Sequence, residues 1–132
     1  MLKKSLKIIL GLGLLLAVTV SLLVTFDLPR RQVVSKYTNQ ASVFKTLPSG
    51  AVAHIRDQGL RDGPVILLIH GSNASLHTWE PWVQQLGDSF RLISIDLPGH
   101  GLTGATPEAD YGVDAMSRFV KQIVDALDLG QV

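Results

Sequence analysis

Residues 70–73, HGSN, directly follow the apolar run VILLI and combine a glycine with small polar side chains. Gly71 has no Cβ, so the backbone can turn sharply there and bring neighbouring N–H groups close to a ligand. N–H groups that a fold holds in place can stabilise negative charge as it develops on a substrate oxygen. The segment DLPGHG, residues 96–101, follows a second apolar run. These two segments are the first candidates for chemistry in this chain.

Each candidate segment follows a predicted β-strand. The run VILLI, residues 65–69, is apolar without alternation, as in a strand that is buried on both faces of a parallel sheet. The run FRLISID, residues 90–96, predicts a second strand of this kind. Ligands of open α/β sheets bind at the carboxyl ends of the strands. The sequence therefore predicts a ligand site where HGSN and DLPGHG meet.

The remaining elements predict an α/β fold around these strands. SVFKTL and AVAHIRD, joined by the turn-forming PSG, indicate an antiparallel hairpin before VILLI. A helix is predicted between the two strands, with Thr78 as its cap and Gly87 at its end, and a second helix is predicted before Gly130. The order strand, helix, strand, helix is typical of a parallel sheet with right-handed crossovers. The two apolar stripes consist of Leu76, Trp79, Trp82, Val83 and Leu86, and of Val113, Met116, Phe119, Val120, Ile123, Val124 and Leu127.

The N-terminal residues predict a membrane segment. Lys3, Lys4 and Lys7 precede an uncharged stretch, residues 8–26. As a helix this stretch would span about 28 Å, close to the roughly 30 Å of bilayer hydrocarbon. Its length favours an uncleaved signal anchor, and so a single-pass membrane protein with its domain on the extracytoplasmic side. The alternative is a cleaved signal peptide and a secreted protein.

Length and composition limit the function classes. At 132 residues the chain has room for one domain, predicted over residues 41–132, after a polar linker at 27–40. Residues 1–26 hold three of the twelve basic residues and none of the eleven acidic ones, so the rest has a net charge of −2. This charge does not favour nucleic-acid binding. The absence of cysteine excludes disulfides and thiolate chemistry.

Two motifs in this order resemble the N-terminal part of an α/β-hydrolase fold enzyme. The first is His-Gly after a buried strand, at residues 70–71. The second is D-x-P-G-x-G-x-[ST] after the next strand, with Asp96, Gly99 and Gly101 at three of its fixed positions, and Pro98 and Thr103 at the other two. The resemblance covers residues 41–132. It implies a sheet whose N-terminal hairpin and parallel strands are followed by further strands in the family.

The resemblance also implies roles for the candidate residues. The loop after the His-Gly pair would supply half of an oxyanion hole, with the backbone N–H of Ser72 as the first candidate and Asn73 as the second. His70 would shape this loop rather than serve as the catalytic base. Asp96 and His100 would brace the turn at the pocket floor, or serve the fold alone.

The family's nucleophile motif, G-x-S-x-G, is not found in residues 1–132. The resemblance implies that the nucleophile, the acid and the base follow Val132. We therefore expect a fragment of a hydrolase, serine-type or with an aspartate nucleophile, that acts on a small molecule with an ester or similar carbonyl. The alternatives are a non-catalytic membrane-tethered binding module and a pseudogene product.

Two other kinds of site are weakly indicated. Residues 99–104, GHGLTG, match the dinucleotide fingerprint G-x-G-x-x-G, but Pro107 follows and no helical period begins before residue 113. The histidines and Asp96 lack the spacing of metal ligands, and His54 and His77 are interpreted as surface or loop residues. We therefore expect neither a cofactor nor a metal.

Overall fold

The structure is a computed structural model that describes residues 2–24, 27–130 and 132. The chain divides into two compact units, one up to Lys36 and one from Tyr37 onwards. In the first unit, helix α1 (Leu2–Leu23) includes a span, Lys4–Leu23, with a mean hydropathy of 2.4. By length and composition this helix can cross a membrane or act as a secretion signal. The last two residues of the predicted segment 8–26 lie outside the described residues.

A short helix, α2 (Arg30–Tyr37), lies within the predicted linker. Pro29 precedes it, and the Pro29 carbonyl oxygen accepts the N–H groups of Gln32 and Val33. Proline is common at the start of a helix because its fixed φ suits the first helical turn and its missing N–H is not needed there. The sequence did not indicate this helix, because α2 has no buried side chain and so no apolar period to reveal it.

The second unit is an α/β fold with a small mixed sheet. Its strands are β1 (Ser42–Thr46), β2 (Val52–Gly59), β3 (Val65–Ile69) and β4 (Arg91–Ile95), in the spatial order β1-β2-β4-β3. Strand β2 is antiparallel to β1 and to β4, and β3 is parallel to β4. The hairpin and both predicted parallel strands are therefore confirmed, and β3 and β4 end together at Ile69 and Ile95.

The helix between β3 and β4 begins differently from the prediction. A 3₁₀ turn, Leu76–Trp79, precedes helix α3 (Glu80–Leu86), and the residues before them, Ser75 and Trp79, make no side-chain capping bond. The predicted cap, Thr78, lies inside the turn, where its N–H donates to the Ser75 carbonyl oxygen. Instead, the Asp96 carboxylate accepts the Leu76 N–H from outside the segment. A distant side chain thus performs the capping that a local pattern assigned to Thr78.

Helix α4 (Val113–Ala126) packs part of its apolar stripe on the sheet. Phe119 and Ile123 are buried in the core with Ile55, Ile93 and Ile95 of the strands. Val113, at the start of the predicted stripe, is 82% exposed because it lies in the first turn, beyond the core contacts.

Strand β3 is less buried than its sequence predicts. Of its five residues only Leu68 is buried, and Ile69 is 42% exposed. The reason is that β3 lies at the edge of the sheet, and no other strand in the described residues pairs with its outer side. Ile69, Val120 and Val124 line an open apolar cavity of about 570 Å³ beside this edge. Unpaired edges of this kind template association with another strand.

Candidate active site

A pocket of about 550 Å³ lies at the carboxyl ends of β3 and β4. The structure therefore brings together the two segments that the sequence singled out. Asn73, Asp96 and Gly101 belong to these two segments but do not line this pocket. The residues that do are His70, Gly71, Ser72, Leu97, Pro98, Gly99, His100, Tyr111 and Met116.

The His70 side chain joins the two segments. Its Nδ1 donates to the Gly71 carbonyl oxygen at 2.8 Å, and its Nε2 accepts the Leu97 N–H at 3.0 Å. A carbonyl can only accept and an N–H can only donate, so these partners assign the proton to Nδ1. With both nitrogens engaged and the residue 3% exposed, His70 has no free atom to act as a base. This geometry supports the loop-shaping role that the resemblance implies.

Asp96 is the centre of the hydrogen bonds beneath the pocket. Its Oδ1 accepts the Leu76 N–H, and its Oδ2 accepts the Leu102 N–H and a bond from His54 Nδ1, each at 2.8 Å. Burial alone would raise the pKa of Asp96, but the hydrogen bonds from His54, Leu76 and Leu102 outweigh it and lower the pKa below its ordinary value of 3.8. The ionised carboxylate thus holds two loops and a strand together.

Gly101 lies so close to the Asp96 side chain that only a glycine fits at this position. Its φ is +48°, and a Cβ there would overlap the Asp96 carboxyl group. Any other residue would therefore displace the central carboxylate. Nearby, His100 Nδ1 donates to the Pro98 carbonyl oxygen at 2.9 Å, and its ring centre lies 5.2 Å from that of His70.

Asn73 adopts a left-handed backbone conformation, with φ of +56°, next to the pocket loop. Asparagine tolerates this region better than most residues. The residue is exposed and does not line the pocket. Ser72 does line it, so the geometry favours Ser72 over Asn73 as the source of a backbone donor.

His54 was assigned wrongly from the sequence. It is completely buried in β2, with Nδ1 on Asp96 and Nε2 3.1 Å from Ser42 Oγ. Strand β2 is paired on both sides, which buries consecutive residues there irrespective of their polarity. The predicted hairpin of SVFKTL and AVAHIRD did not reveal that the second strand also pairs with β4. His77 is half-buried and its Nδ1 lies 2.7 Å from Glu80 Oε1.

The alternative sites find no support in the geometry. The GHGLTG segment forms turns, and α4 begins only at Val113, so no helix N-terminus lies within the motif as dinucleotide binding requires. Among the described residues no group of three His, Asp or Glu side chains is placed to hold a metal ion.

Known proteins similar to this chain are hydrolases and related proteins. It is 36% identical to the magnesium-chelatase 30 kDa subunit of Rhodobacter capsulatus over 73 residues, which are 55% of this chain and 26% of that protein. It is 38% identical to a putative carbamate hydrolase, RutD, of Agrobacterium fabrum over 68 residues, 52% of this chain and 26% of that protein. The chain thus spans about a quarter of the length of these curated relatives.

The fold is shared with solved structures. That of a membrane phospholipase A, described as a bacterial virulence factor, has a TM-score of 0.63 and 25% identity, over 92% of this chain and 40% of that one. The family model for the alpha/beta hydrolase fold matches residues 64–132, more than half of the chain, and includes both motifs. The chain belongs to the α/β hydrolase fold family.

Proposed function

We propose that this chain is the N-terminal portion of a membrane-anchored hydrolase that cleaves an ester or similar carbonyl substrate. The observation that carries the proposal is the pocket in which Ser72 and Gly71 face the turn after β4. It lies at the strand ends where α/β folds bind ligands. The nucleophile, the histidine base and the acid would be supplied by the chain beyond Val132, since the relatives are about four times as long as the matched region.

In the proposed reaction the nucleophile oxygen adds to the substrate carbonyl carbon, and the base removes the nucleophile's proton. The carbonyl π electrons move to oxygen, where the negative charge develops. The Ser72 N–H would donate a hydrogen bond to this oxygen, as half of an oxyanion hole. His70 fixes the Gly71 carbonyl and thereby the peptide plane that contains the Ser72 N–H. A donor held in advance stabilises the transition state without reorganisation.

The side chains of the pocket suit a neutral small molecule. Apart from the histidines, its lining consists of glycine, serine, proline, leucine, methionine and tyrosine, with no carboxylate or guanidinium group. Esters, amides and carbamates are uncharged at the carbonyl that reacts. The putative carbamate hydrolase and the membrane phospholipase A are relatives whose names fit this class.

The apolar stretch of residues 8–26, whose first sixteen residues lie in helix α1, would anchor the protein in the membrane, with the hydrolase domain on the extracytoplasmic side. The helix side chains described are exposed, including Leu14 and Leu22, as expected for a helix surrounded by lipid. The lysines that precede the apolar stretch favour a cytoplasmic N-terminus. The similarity to a membrane phospholipase A supports an association of this fold with membranes.

The proposal predicts that the 132-residue chain alone does not hydrolyse esters, whereas the native-length protein does. The physical reason is that an oxyanion donor without a nucleophile leaves no covalent step to accelerate. The measurement is release of p-nitrophenol from p-nitrophenyl acetate by both forms in the same detergent, with the Ser72→Ala variant as a matched control. Turnover by the 132-residue chain that the His70→Ala variant abolishes would contradict the proposal, and so would inactivity of the native-length protein towards a panel of esters, amides and carbamates.

A further inference from the structure

The partly buried Ser42 and the buried His54 and Asp96 form a connected group outside the pocket lining. His54 Nε2 lies 3.1 Å from Ser42 Oγ, and His54 Nδ1 lies 2.8 Å from Asp96 Oδ2. The side chains of His54 and Asp96 are 0% and 2% exposed. The order hydroxyl, imidazole, carboxylate is the connectivity of a hydrolytic triad. Its chemical role depends on where the protons lie.

The partners of Ser42 assign the protons. Ser42 Oγ accepts the Asn39 N–H at 3.1 Å and the Arg56 Nε–H at 3.3 Å. A serine hydroxyl has two lone pairs and one proton, so with both lone pairs engaged it must donate to its remaining neighbour. His54 Nε2 is the nearer of the two possible acceptors, at 3.1 Å, and Asn39 Oδ1 lies at 3.4 Å. The hydroxyl therefore donates to Nε2, and the ring proton of His54 lies on Nδ1, directed at Asp96.

The same contacts prevent Ser42 from acting as a nucleophile. Attack requires a free lone pair on Oγ, and both are directed at the N–H donors of Asn39 and Arg56. Arg56 cannot swing away easily, because its Nη1 donates to Glu80 Oε1 and its Nη2 to the Tyr37 carbonyl oxygen, each at 2.8 Å. The Phe44 ring stacks on His54 at 5.0 Å between centres and covers it. Ser42 is partly exposed, but its oxygen has no lone pair free to attack a substrate carbonyl.

Instead, His54 acts on the pocket through Asp96. The Asp96 carboxylate accepts the N–H of Leu76, which follows the loop after β3, and the N–H of Leu102, which lies in the loop after β4. Residues of both loops line the pocket. Thr103 adds a second link between the two residues. Its Oγ1 accepts the backbone N–H of His54 at 2.9 Å and donates to the backbone carbonyl oxygen of Asp96 at 2.7 Å. The orientation of the carboxylate is thereby set from β2 as well as from the loops.

We propose that His54, whose Nδ1 donates to Asp96 and whose Nε2 accepts the Ser42 hydroxyl, is a positioning residue for the loops of the pocket. It supplies the hydrogen bond that orients Asp96 and is not part of a second catalytic centre. The effect of His54 on the positions of Leu76 and Leu102 can be tested whether or not the protein is an enzyme. The effect on turnover rests on the proposed function.

Two substitutions of His54 test the hydrogen bonds of its two ring nitrogens separately. In His54→Asn the amide nitrogen can occupy the place of Nδ1 and keep the bond to Asp96, while the contact with Ser42 is lost. In His54→Gln the longer side chain places its amide near Nε2, where it reaches Ser42 and not Asp96. His77→Asn is the control for loss of a histidine that does not contact Asp96.

The test is NMR of the native-length protein with ¹⁵N-labelled histidine, together with the amide resonances of Leu76 and Leu102. We expect a protonated Nδ1 and a bare Nε2 for His54, and amide shifts that persist in His54→Asn and change in His54→Gln. A proton on Nε2 of neutral His54, equal effects of the two variants, or labelling of Ser42 by a fluorophosphonate would overturn the proposal. Should either variant fail to fold, the wild-type tautomer and the labelling of Ser42 still decide.

Activity of the same variants tests the link to the pocket separately. We expect kcat to fall by up to about 100-fold in His54→Gln, as for small misplacements of a site, and much less in His54→Asn, with KM little changed. Equal kcat values for His54→Gln and the wild type would refute the link to the pocket. Inactivity of the wild-type protein would refute the proposed function and leave the NMR result to decide the role of His54.

Discussion

Replacing Asp96 by asparagine is expected to destabilise the unit from Tyr37 onwards by about 3 kcal/mol. The carboxylate accepts three hydrogen bonds at 2.8 Å in a site that is 1% exposed. An asparagine can place its oxygen at only one of the two Oδ positions, and its NH₂ group would then face another donor. At least one buried N–H loses its partner, and the remaining bonds lose the assistance of a charge.

The size of this effect depends on pH in a defined direction. Asp96 has a lowered pKa in the folded protein, so its contribution to stability is complete above the unfolded pKa, about 3.9, and is lost as the pH falls through the lower folded value. The difference between wild type and Asp96→Asn should therefore be largest at neutral pH and narrow below about pH 3.9. The exposed Asp88→Asn is the matched control.

Urea unfolding of the native-length protein, followed by the fluorescence of Trp79 and Trp82, measures both quantities. These tryptophans lie in the segment whose first N–H is bound by Asp96, and their ring centres are 6.5 Å apart. A free energy of unfolding for Asp96→Asn equal to that of Asp88→Asn at neutral pH would contradict the central role of this carboxylate.

Removing the Ser72 N–H alone is expected to lower kcat of the native-length enzyme by about 100- to 1000-fold. This is the typical effect of deleting one oxyanion donor. The change is made by replacing the residue with its α-hydroxy acid, which turns the amide into an ester and keeps the side chain. Ser72→Ala, which keeps the N–H, should be nearly as active as the wild type, because the proposed donor belongs to the backbone.

The same substitution at Asn73 distinguishes the two candidates for the donor. We expect the ester at residue 73 to have a small effect, since Asn73 does not line the pocket. A large loss with the ester at 73 and none at 72 would transfer the role to Asn73. A large loss in Ser72→Ala would instead assign the role to the hydroxyl group. Steady-state kinetics with one ester substrate provide the measurement in each case.

Local patterns predicted the elements that bear the pocket. VILLI and FRLISID are short runs rich in β-branched residues between turn formers, and they form β3 and β4 within a residue or two of the predicted bounds. The placement of HGSN and DLPGHG follows from the parallel pairing of these strands, which end at the same edge. The strands and the position of the two loops could therefore be predicted from the sequence, because they follow from the hydrophobic pattern and from strand direction.

The errors arose where a distant contact decides the local structure. Thr78 does not cap the helix, because the Asp96 carboxylate binds the Leu76 N–H from the end of β4. His54 is buried, because β2 pairs with β4 as well as with β1. Strand β3 is half-exposed, because its apolar run lies at a sheet edge in the described residues. None of these contacts has a signature within the segment that it affects.

The most direct measurement is the coding DNA immediately after codon 132, compared with the intact mass of the native protein. We predict that the frame continues, that it soon encodes G-x-S-x-G or the equivalent motif with aspartate, and that the mass is well above 14.3 kDa. The motif would also identify the nucleophile that acts in the pocket lined by Ser72. A stop codon at that point, with a native mass of 14.3 kDa, would contradict the account and would leave binding without catalysis as the function of this fold.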